Sequence, residues 1–206
     1  VHEIVEFIKE KYLVVLTETE IEEDKIFELI KAAIHYSNDR IYKKSLLNKE
    51  CVGMGTTLSM ILVRDNNLYY GHVGDSRIYL IRKHEIRMLT EDHSLVAELV
   101  KQGTIKPEEA SSHPQKNIIT RALGTEYSIE ADLGKQTILD DDYILLCTDG
   151  LSNLINDSEI MEIVLAAADV EKACDGLIDK ARENGGYDNI TVVVIHKDKG
   201  GDCNDR

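Results

Sequence analysis

Apolar residues recur at helical spacing at the start of the chain. In residues 1–16 they fall on one side of a helix, and residues 19–38 repeat the pattern. Thr19 and Glu22 have the spacing of a capping box, so the second helix is expected to begin at Thr19 and to run to Asn38 or beyond. The chain is therefore predicted to open with two long helices.

After residue 55 the pattern changes to short runs rich in β-branched and aromatic residues, which are typical of strands. The first four runs are residues 57–64, 68–73, 77–81 and 86–90. The polar breaks at residues 65–67 and 82–84 have the composition of hairpin turns. These four strands are predicted to form an antiparallel meander.

The second half of the chain mixes helices and strands. A short helix is expected to begin near Asp92 and to end at Gly103, and residues 104–116, here called the flap, hold too few apolar residues to pack well. The flap is predicted to be exposed and mobile. Further strands are expected at residues 128–133, 136–139, 143–148 and 189–196, and further helices at residues 157–168 and 170–184.

Strands in blocks that alternate with helix pairs, without a regular βαβ repeat, favour the α+β class. Two sheets covered by helix pairs are the expected architecture. The length favours a single domain, which we place at residues 1–198, with residues 199–206 as a disordered tail.

Composition narrows the possible partners and the compartment. The formal charge of −14 predicts an acidic surface that repels nucleic acids and anionic membranes, and no apolar run approaches the roughly 20 residues of a membrane span. No export signal is visible, and the four cysteines form no Cys-x-x-Cys pair, so a cytoplasmic location is expected. Cys147 lies in an apolar run, where burial would raise its thiol pKa, so we expect it to pack in the core.

Three aspartates lie where a predicted strand meets a glycine or a sharp turn: Asp75, Asp149 and Asp188. Carboxylates without clustered histidine or cysteine are hard oxygen ligands that select Mg²⁺, Mn²⁺ or Ca²⁺. Each aspartate taken alone is better explained as a turn residue that accepts backbone hydrogen bonds. A structural calcium site would need more clustered oxygen ligands than these three provide.

Six ordered segments resemble the type 2C (PPM) metal-dependent serine/threonine protein phosphatases. They are residues 55–57 (Gly-Thr-Thr), 71–77 (Gly-His-Val-Gly-Asp-Ser-Arg), 89–94 (Leu-Thr-Glu-Asp-His-Ser), 119–124 (Ile-Thr-Arg-Ala-Leu-Gly), 146–151 (Leu-Cys-Thr-Asp-Gly-Leu) and 188–192 (Asp-Asn-Ile-Thr-Val). The flap is similar to that of the bacterial branch. The resemblance implies a four-layer α/β/β/α sandwich of two antiparallel sheets flanked by helix pairs.

The resemblance also implies the chemistry. Asp149 and Asp188 match ligands of a first catalytic metal, and Asp75 and Asp149 match the pair that holds a third metal in bacterial members. Asn153 stands where some members carry another acidic ligand, which argues against tight binding of the third metal. The implied activity is hydrolysis of phosphoserine and phosphothreonine in proteins, the products of a serine/threonine kinase, by a water that bridges two Mn²⁺ or Mg²⁺ ions.

Family motifs that precede the first helix are not in this sequence: the phosphate-binding arginine, the aspartate that bridges the two metals, and Asp-Gly-x-Gly-Gly-His. We therefore expect an N-terminally truncated domain that is weakly active or inactive by itself. A noncatalytic phosphatase-like domain that binds phosphoproteins or regulates a partner is the alternative.

Other charged or polar residues of the matching segments are not assigned to catalysis. His72 and His93 are interpreted as residues that pack and hydrogen-bond locally, because single histidines in such positions are more often structural. Arg77 and Arg121 could meet a phosphate, but a structural ion pair is at least as good an explanation in an acidic protein. The sequence leaves the oligomeric state open.

Overall fold

The computed structural model describes residues 4–9, 21–110 and 112–198. Residues 4–9 are helical, in agreement with the first predicted helix, whose remainder lies outside the described residues. The described chain forms two compact units, one built from residues 1–74 and 119–136 and the other from residues 75–118 and 137–206. The expected single domain stays a prediction.

The first unit contains the long helix α1 (Glu23–Leu47), a 3₁₀ turn (Lys49–Cys51), and the strands β1 (Leu58–Arg64), β2 (Asn67–Val73) and most of β5 (Asp132–Thr137). The strands form one sheet in the order β1-β2-β5, with β1 and β2 antiparallel. Its core joins Ile26, Ile30 and Ile34 of α1 to Tyr69 and Val73 of β2.

The second unit holds a four-stranded antiparallel sheet in the order β4-β3-β6-β7, formed by Glu85–Met88, Arg77–Arg82, Tyr143–Cys147 and Val192–His196 respectively. Its helices are α2 (Leu95–Lys101), α3 (Pro107–Ala110), α4 (Asp149–Ser152), α5 (Asp157–Ala166) and α6 (Val170–Glu183). Apolar side chains of α5 and α6 pack against Tyr79 and Leu145 of the sheet. Both units therefore match the predicted α+β class.

Three predicted details are wrong. Glu22 is the N-cap of α1 and makes no side-chain capping hydrogen bond, so this helix does not begin at Thr19. The meander is interrupted, because β1 and β5 occupy both edges of β2 and leave no edge to which β3 could pair. Residues 128–133 and 136–139 are not two strands, since β5 runs through Gly134, where a Cβ would lie 2.2 Å from the ring of Tyr70. That glycine is required by packing and not by a turn.

The other elements agree with the sequence. The hairpin turns are present, with positive φ at Asp65, Lys83 and His84, and α2 is followed by Gly103 at a φ of +70°. The flap is mostly exposed and includes α3. None of the helices in the described part of the chain is long and apolar enough to cross a membrane.

A buried ion pair between Arg82 and Asp142 lies at one end of the second unit's sheet. Asp142, whose side chain is 1% exposed, accepts hydrogen bonds from Arg82 Nε at 2.8 Å and Nη2 at 2.6 Å, and from the Leu139 backbone N–H at 2.7 Å. Burial alone would raise the pKa of Asp142, but these hydrogen bonds outweigh it and hold the pKa below its usual value. The pair joins the end of β3 to the turn that precedes β6.

We expect Asp142→Asn to lower the free energy of unfolding by about 2 kcal/mol at pH 7, because it weakens charge-assisted hydrogen bonds to a buried group. The folded pKa lies below the unfolded value of about 3.9, so the carboxylate's contribution is present above that pH and is lost as the pH falls through the folded pKa. Urea unfolding at pH 7 and at pH 3 measures this difference. The control is Asp140→Asn, which changes an exposed acid. An Asp142→Asn effect of the same size at pH 7 and at pH 3 would contradict the expectation.

Candidate metal centre and active site

The three predicted aspartates lie at one end of the second unit's sheet. Asp75 precedes β3 by two residues, Asp149 follows β6 by two residues, and Asp188 precedes β7. In the strand register Arg77 is opposite Cys147, and Cys147 is opposite Val192. Adjacent strand ends therefore bring the three acidic segments to the same edge of the sheet.

Backbone contacts fix the segment that carries Asp149. The Thr148 N–H donates to the Thr191 carbonyl at 3.1 Å, and the Thr148 hydroxyl donates to the Asn189 carbonyl at 3.2 Å. The next residue, Gly150, lies so close to the loop after Asp188 that a Cβ would be 2.2 Å from the Asn189 carbonyl oxygen. Glycine at this position is what allows Asp149 and the Asp188 loop to approach each other.

Electrostatic coupling links the aspartates in two pairs. Burial, followed by the negative charge of Asp149, raises the pKa of Asp75 to about 6. Burial, followed by the negative charge of Asp188, raises the pKa of Asp149. Asp149 is thus the member common to both pairs, and the excess negative charge favours a bound cation.

The donor set fits a hydrated hard cation. In the described part of the chain, no three acidic, histidine or cysteine side chains are grouped so that they could hold one ion. Mg²⁺ is commonly bound through one or two carboxylates while it keeps several waters, and Mn²⁺ accepts the same oxygen donors. The two overlapping carboxylate pairs are compatible with such ions and do not resemble a cage for Ca²⁺.

Asp75 and Asp149 line an open cleft of about 520 Å³ that lies entirely within the second unit. Asp188 is not among its lining residues. The cleft is also lined by residues of α2 and by residues of the flap and its C-terminal flank, namely Pro107, Ala110, Lys116 and Asn117. The same open cleft is therefore bordered by two of the three aspartates, by α2 and by the flap.

The two arginines considered for phosphate binding are held in ion pairs. Arg77 forms a two-pronged contact with Asp92, at 3.0 Å from Nε to Oδ1 and 2.7 Å from Nη2 to Oδ2. Arg121 contacts Asp132 at 3.0 Å in the first unit. The structural interpretation of both side chains is therefore supported.

Comparisons with known proteins decide the family. The family model for protein phosphatase 2C matches residues 6–99 and 119–190. The chain belongs to the protein phosphatase 2C family. It is 48% identical over 143 residues to the protein phosphatase PhpP of Streptococcus pneumoniae, an alignment that covers 69% of this chain and 58% of PhpP. The chain therefore spans little more than half the length of that relative.

Solved protein phosphatase 2C structures share the fold. The serine/threonine phosphatase of S. agalactiae matches with a TM-score of 0.85 and 35% identity, over 96% of this chain and 80% of that chain. The catalytic domain of PstP, solved in complex with two manganese ions, matches with a TM-score of 0.77 and 35% identity, over 94% of this chain and 78% of that chain. These matches confirm the family and the α+β fold that the six segments indicated.

Asn153 departs from the acidic residue that some protein phosphatase 2C members carry. Its side-chain amide donates to Asp149 Oδ2 at 3.3 Å. Asn153 therefore hydrogen-bonds to the Asp149 carboxylate without adding a charged donor, and the weak third-metal site stays a prediction.

Two histidines and one cysteine of the matching segments are buried, as predicted. His72 lies 2.9 Å from the Ser59 hydroxyl through Nδ1, and His93 is 2% exposed. Burial raises the pKa of the Cys147 thiol to about 12, so the thiolate form is scarce at neutral pH. His72 lies in the first unit, and His93 and Cys147 lie in the second.

The sequence did not identify Asp92 as a residue of the site. In the sequence Asp92 stands in the Leu-Thr-Glu-Asp-His-Ser segment, which resembles the family. The sequence does not show which side chain Asp92 binds, because that depends on the fold. In the structure Asp92 and Arg77 both line the cleft next to Asp75.

Proposed function

We propose that this chain supplies the Asp75, Asp149 and Asp188 site of a metal-dependent protein phosphatase that hydrolyses phosphoserine and phosphothreonine. The observation that carries the proposal is the position of Asp149, which is coupled to both other aspartates at a strand end and faces an open cleft. The substrates would be cytoplasmic proteins phosphorylated by a serine/threonine kinase.

Each aspartate has a distinct role in the proposal. Asp149 and Asp188 hold a Mn²⁺ or Mg²⁺ ion, and Asp75 and Asp149 hold an additional ion more weakly. When bound, the metal lowers the pKa of coordinated water and neutralises charge on the phosphoryl oxygens. Thr148 and Gly150 keep Asp149 in place, and Asn153 orients its carboxylate.

Water is the proposed nucleophile. The thiol of Cys147, two residues before Asp149, is buried and protonated, so it is a poor nucleophile for a covalent phosphoenzyme. The cleft is open, so water and a phosphorylated segment of a substrate can enter together.

A polypeptide of these 206 residues is expected to turn over slowly or not at all. The sequence contains no Asp-Gly-x-Gly-Gly-His segment, and therefore not the aspartate that bridges both metals in the family. Loss of one metal would remove several kcal/mol of transition-state stabilisation, a rate decrease of at least about 100-fold.

The test is phosphate release from phosphothreonine and phosphotyrosine peptides with Mn²⁺, with Mg²⁺ and with EDTA. We expect weak, Mn²⁺-dependent release from phosphothreonine, far below that of a relative that contains the bridging aspartate. Hydrolysis that persists in EDTA, or at the relative's full rate, would contradict the proposal. Tight phosphopeptide binding without any turnover, even after the missing segment is added, would favour the noncatalytic alternative.

A further inference from the structure

The Arg77 guanidinium is a fixed cation next to the carboxylates of the proposed metal site. Arg77 begins β3 two residues after Asp75, and both residues line the cleft with Asp149. Burial and neighbouring carboxylates raise the pKa of Asp75 and of Asp149, and the positive charge of Arg77 opposes part of this rise. A cation in this position can compete with a metal ion for the same oxygens.

Asp92 holds this cation by a two-pronged contact. Arg77 Nε lies 3.0 Å and 3.1 Å from the two oxygens of Asp92, and Nη2 lies 2.7 Å from Oδ2. The remaining terminal nitrogen, Nη1, donates to the hydroxyl of the buried Tyr79 at 3.1 Å. All three nitrogens of the guanidinium therefore hydrogen-bond to Asp92 or to Tyr79.

Partial burial makes this contact strong. The side chains of Arg77 and Asp92 are 25% and 16% exposed, so water screens their interaction less than it screens a surface ion pair. The neighbouring acid, Glu91, also lines the cleft, but it is 56% exposed and pairs with Lys101 instead. Glu91 and Asp92 carry the same charge at adjacent positions, and only Asp92 binds Arg77.

We propose that Asp92 is a positioning residue for the metal site, because it holds the Arg77 guanidinium and so keeps Asp75 and Asp149 available to a divalent cation. The inference rests on the proposed metal-binding function. Without the charge of Asp92, Arg77 turns to the nearest remaining carboxylates and displaces the metal.

The test is direct titration of the chain with Mn²⁺, in which the electron paramagnetic resonance signal reports free ions without any turnover. We expect Asp92→Asn to weaken Mn²⁺ binding by about 10- to 100-fold, the usual effect of removing a residue that orients metal ligands. Glu91→Gln removes the same charge from an exposed position and should change the dissociation constant by less than about threefold.

The decisive variant removes both members of the pair. Replacement of a buried ion pair by neutral side chains is often tolerated, so Arg77→Met combined with Asp92→Asn is expected to fold and to regain affinity close to that of the wild type. If Asp92→Asn alone does not fold by circular dichroism, Asp92→Ser takes its place in the comparison with the double variant.

Each outcome has one meaning. Weak binding by Asp92→Asn with recovery in the double variant supports the proposal. Unchanged binding by Asp92→Asn, an equal loss in Glu91→Gln, or a folded double variant that binds more than about tenfold more weakly than the wild type overturns it. If the wild-type chain itself does not bind Mn²⁺, the proposed metal site is wrong. The titration of the wild type alone shows this, so it is distinguishable from a failure of the Asp92 proposal.

Discussion

Asp149→Asn is expected to lower Mn²⁺ affinity by at least about 100-fold, equivalent to about 3 kcal/mol of binding free energy. Asp149 is the carboxylate that interacts with both Asp75 and Asp188, so its loss removes both of the pairs proposed to hold an ion. Asparagine keeps the size of the side chain and removes the charged oxygen donor. Isothermal titration of the variant with Mn²⁺ measures the change.

The same variant should be more stable than the wild type when no metal is present. Burial and repulsion from neighbouring acids destabilise the ionised carboxylates, and the substitution removes one of those charges. An increase of about 1 kcal/mol, or about 2–4 °C in Tm, is expected in EDTA at pH 8. Added Mn²⁺ should then stabilise the wild type and leave the variant unchanged.

The control for this experiment is Asp179→Asn, which makes the same charge change on an exposed residue of α6. It should alter neither Mn²⁺ affinity nor stability by a measurable amount. If Asp149→Asn bound Mn²⁺ as the wild type does, Asp149 could not be the shared ligand.

Gly150→Ala is expected to damage the site and the fold together. The new Cβ would lie 2.2 Å from the carbonyl oxygen of Asn189, and a backbone atom can move only if the loop after Asp188 moves with it. We expect a loss of about 2–3 kcal/mol in the free energy of unfolding, as for other overpacking changes. Mn²⁺ affinity should also fall, because the displaced loop carries Asp188. Urea unfolding and Mn²⁺ titration measure the two effects.

Gly176→Ala is the matched control. Its Cβ would lie 3.0 Å from a side-chain methyl of Ile163, which can shift, and alanine is favoured over glycine within a helix by about 1 kcal/mol. The expected result is a small change in stability and unchanged Mn²⁺ affinity. Equal effects of the two substitutions would show that the position of Gly150 is not special.

The sequence placed Asp75, Asp149 and Asp188 next to strand ends because strand ends can be inferred from hydrophobic runs. The apolar segments before Asp149 and after Asp188 are β6 and β7, and their antiparallel pairing brings the two acids to the same edge. The hairpins were also predictable, since polar residues at Asp65 and His84 favour tight turns. At these positions the hydrophobic pattern and the turn-forming residues both predicted the secondary structure that is observed.

Pairing between distant segments could not be predicted from the pattern. The predicted strands ended at residue 133 and resumed at residue 136, whereas β5 runs through Gly134, where the ring of Tyr70 leaves no room for a Cβ. An ion pair for Arg77 was foreseen, but nothing in a sequence with 38 acidic residues selects Asp92 as its partner. Which residues meet depends on how the strands pair. The described strands divide into two sheets, and the hydrophobic pattern does not reveal that division.

The most direct test of the central claim is anomalous diffraction from crystals of the chain grown with Mn²⁺. The account predicts an anomalous peak coordinated directly by Asp149 and Asp188, and a weaker peak between Asp149 and Asp75 at high Mn²⁺ concentration. An ordered crystal at saturating Mn²⁺ with no peak on the Asp149 carboxylate would contradict it.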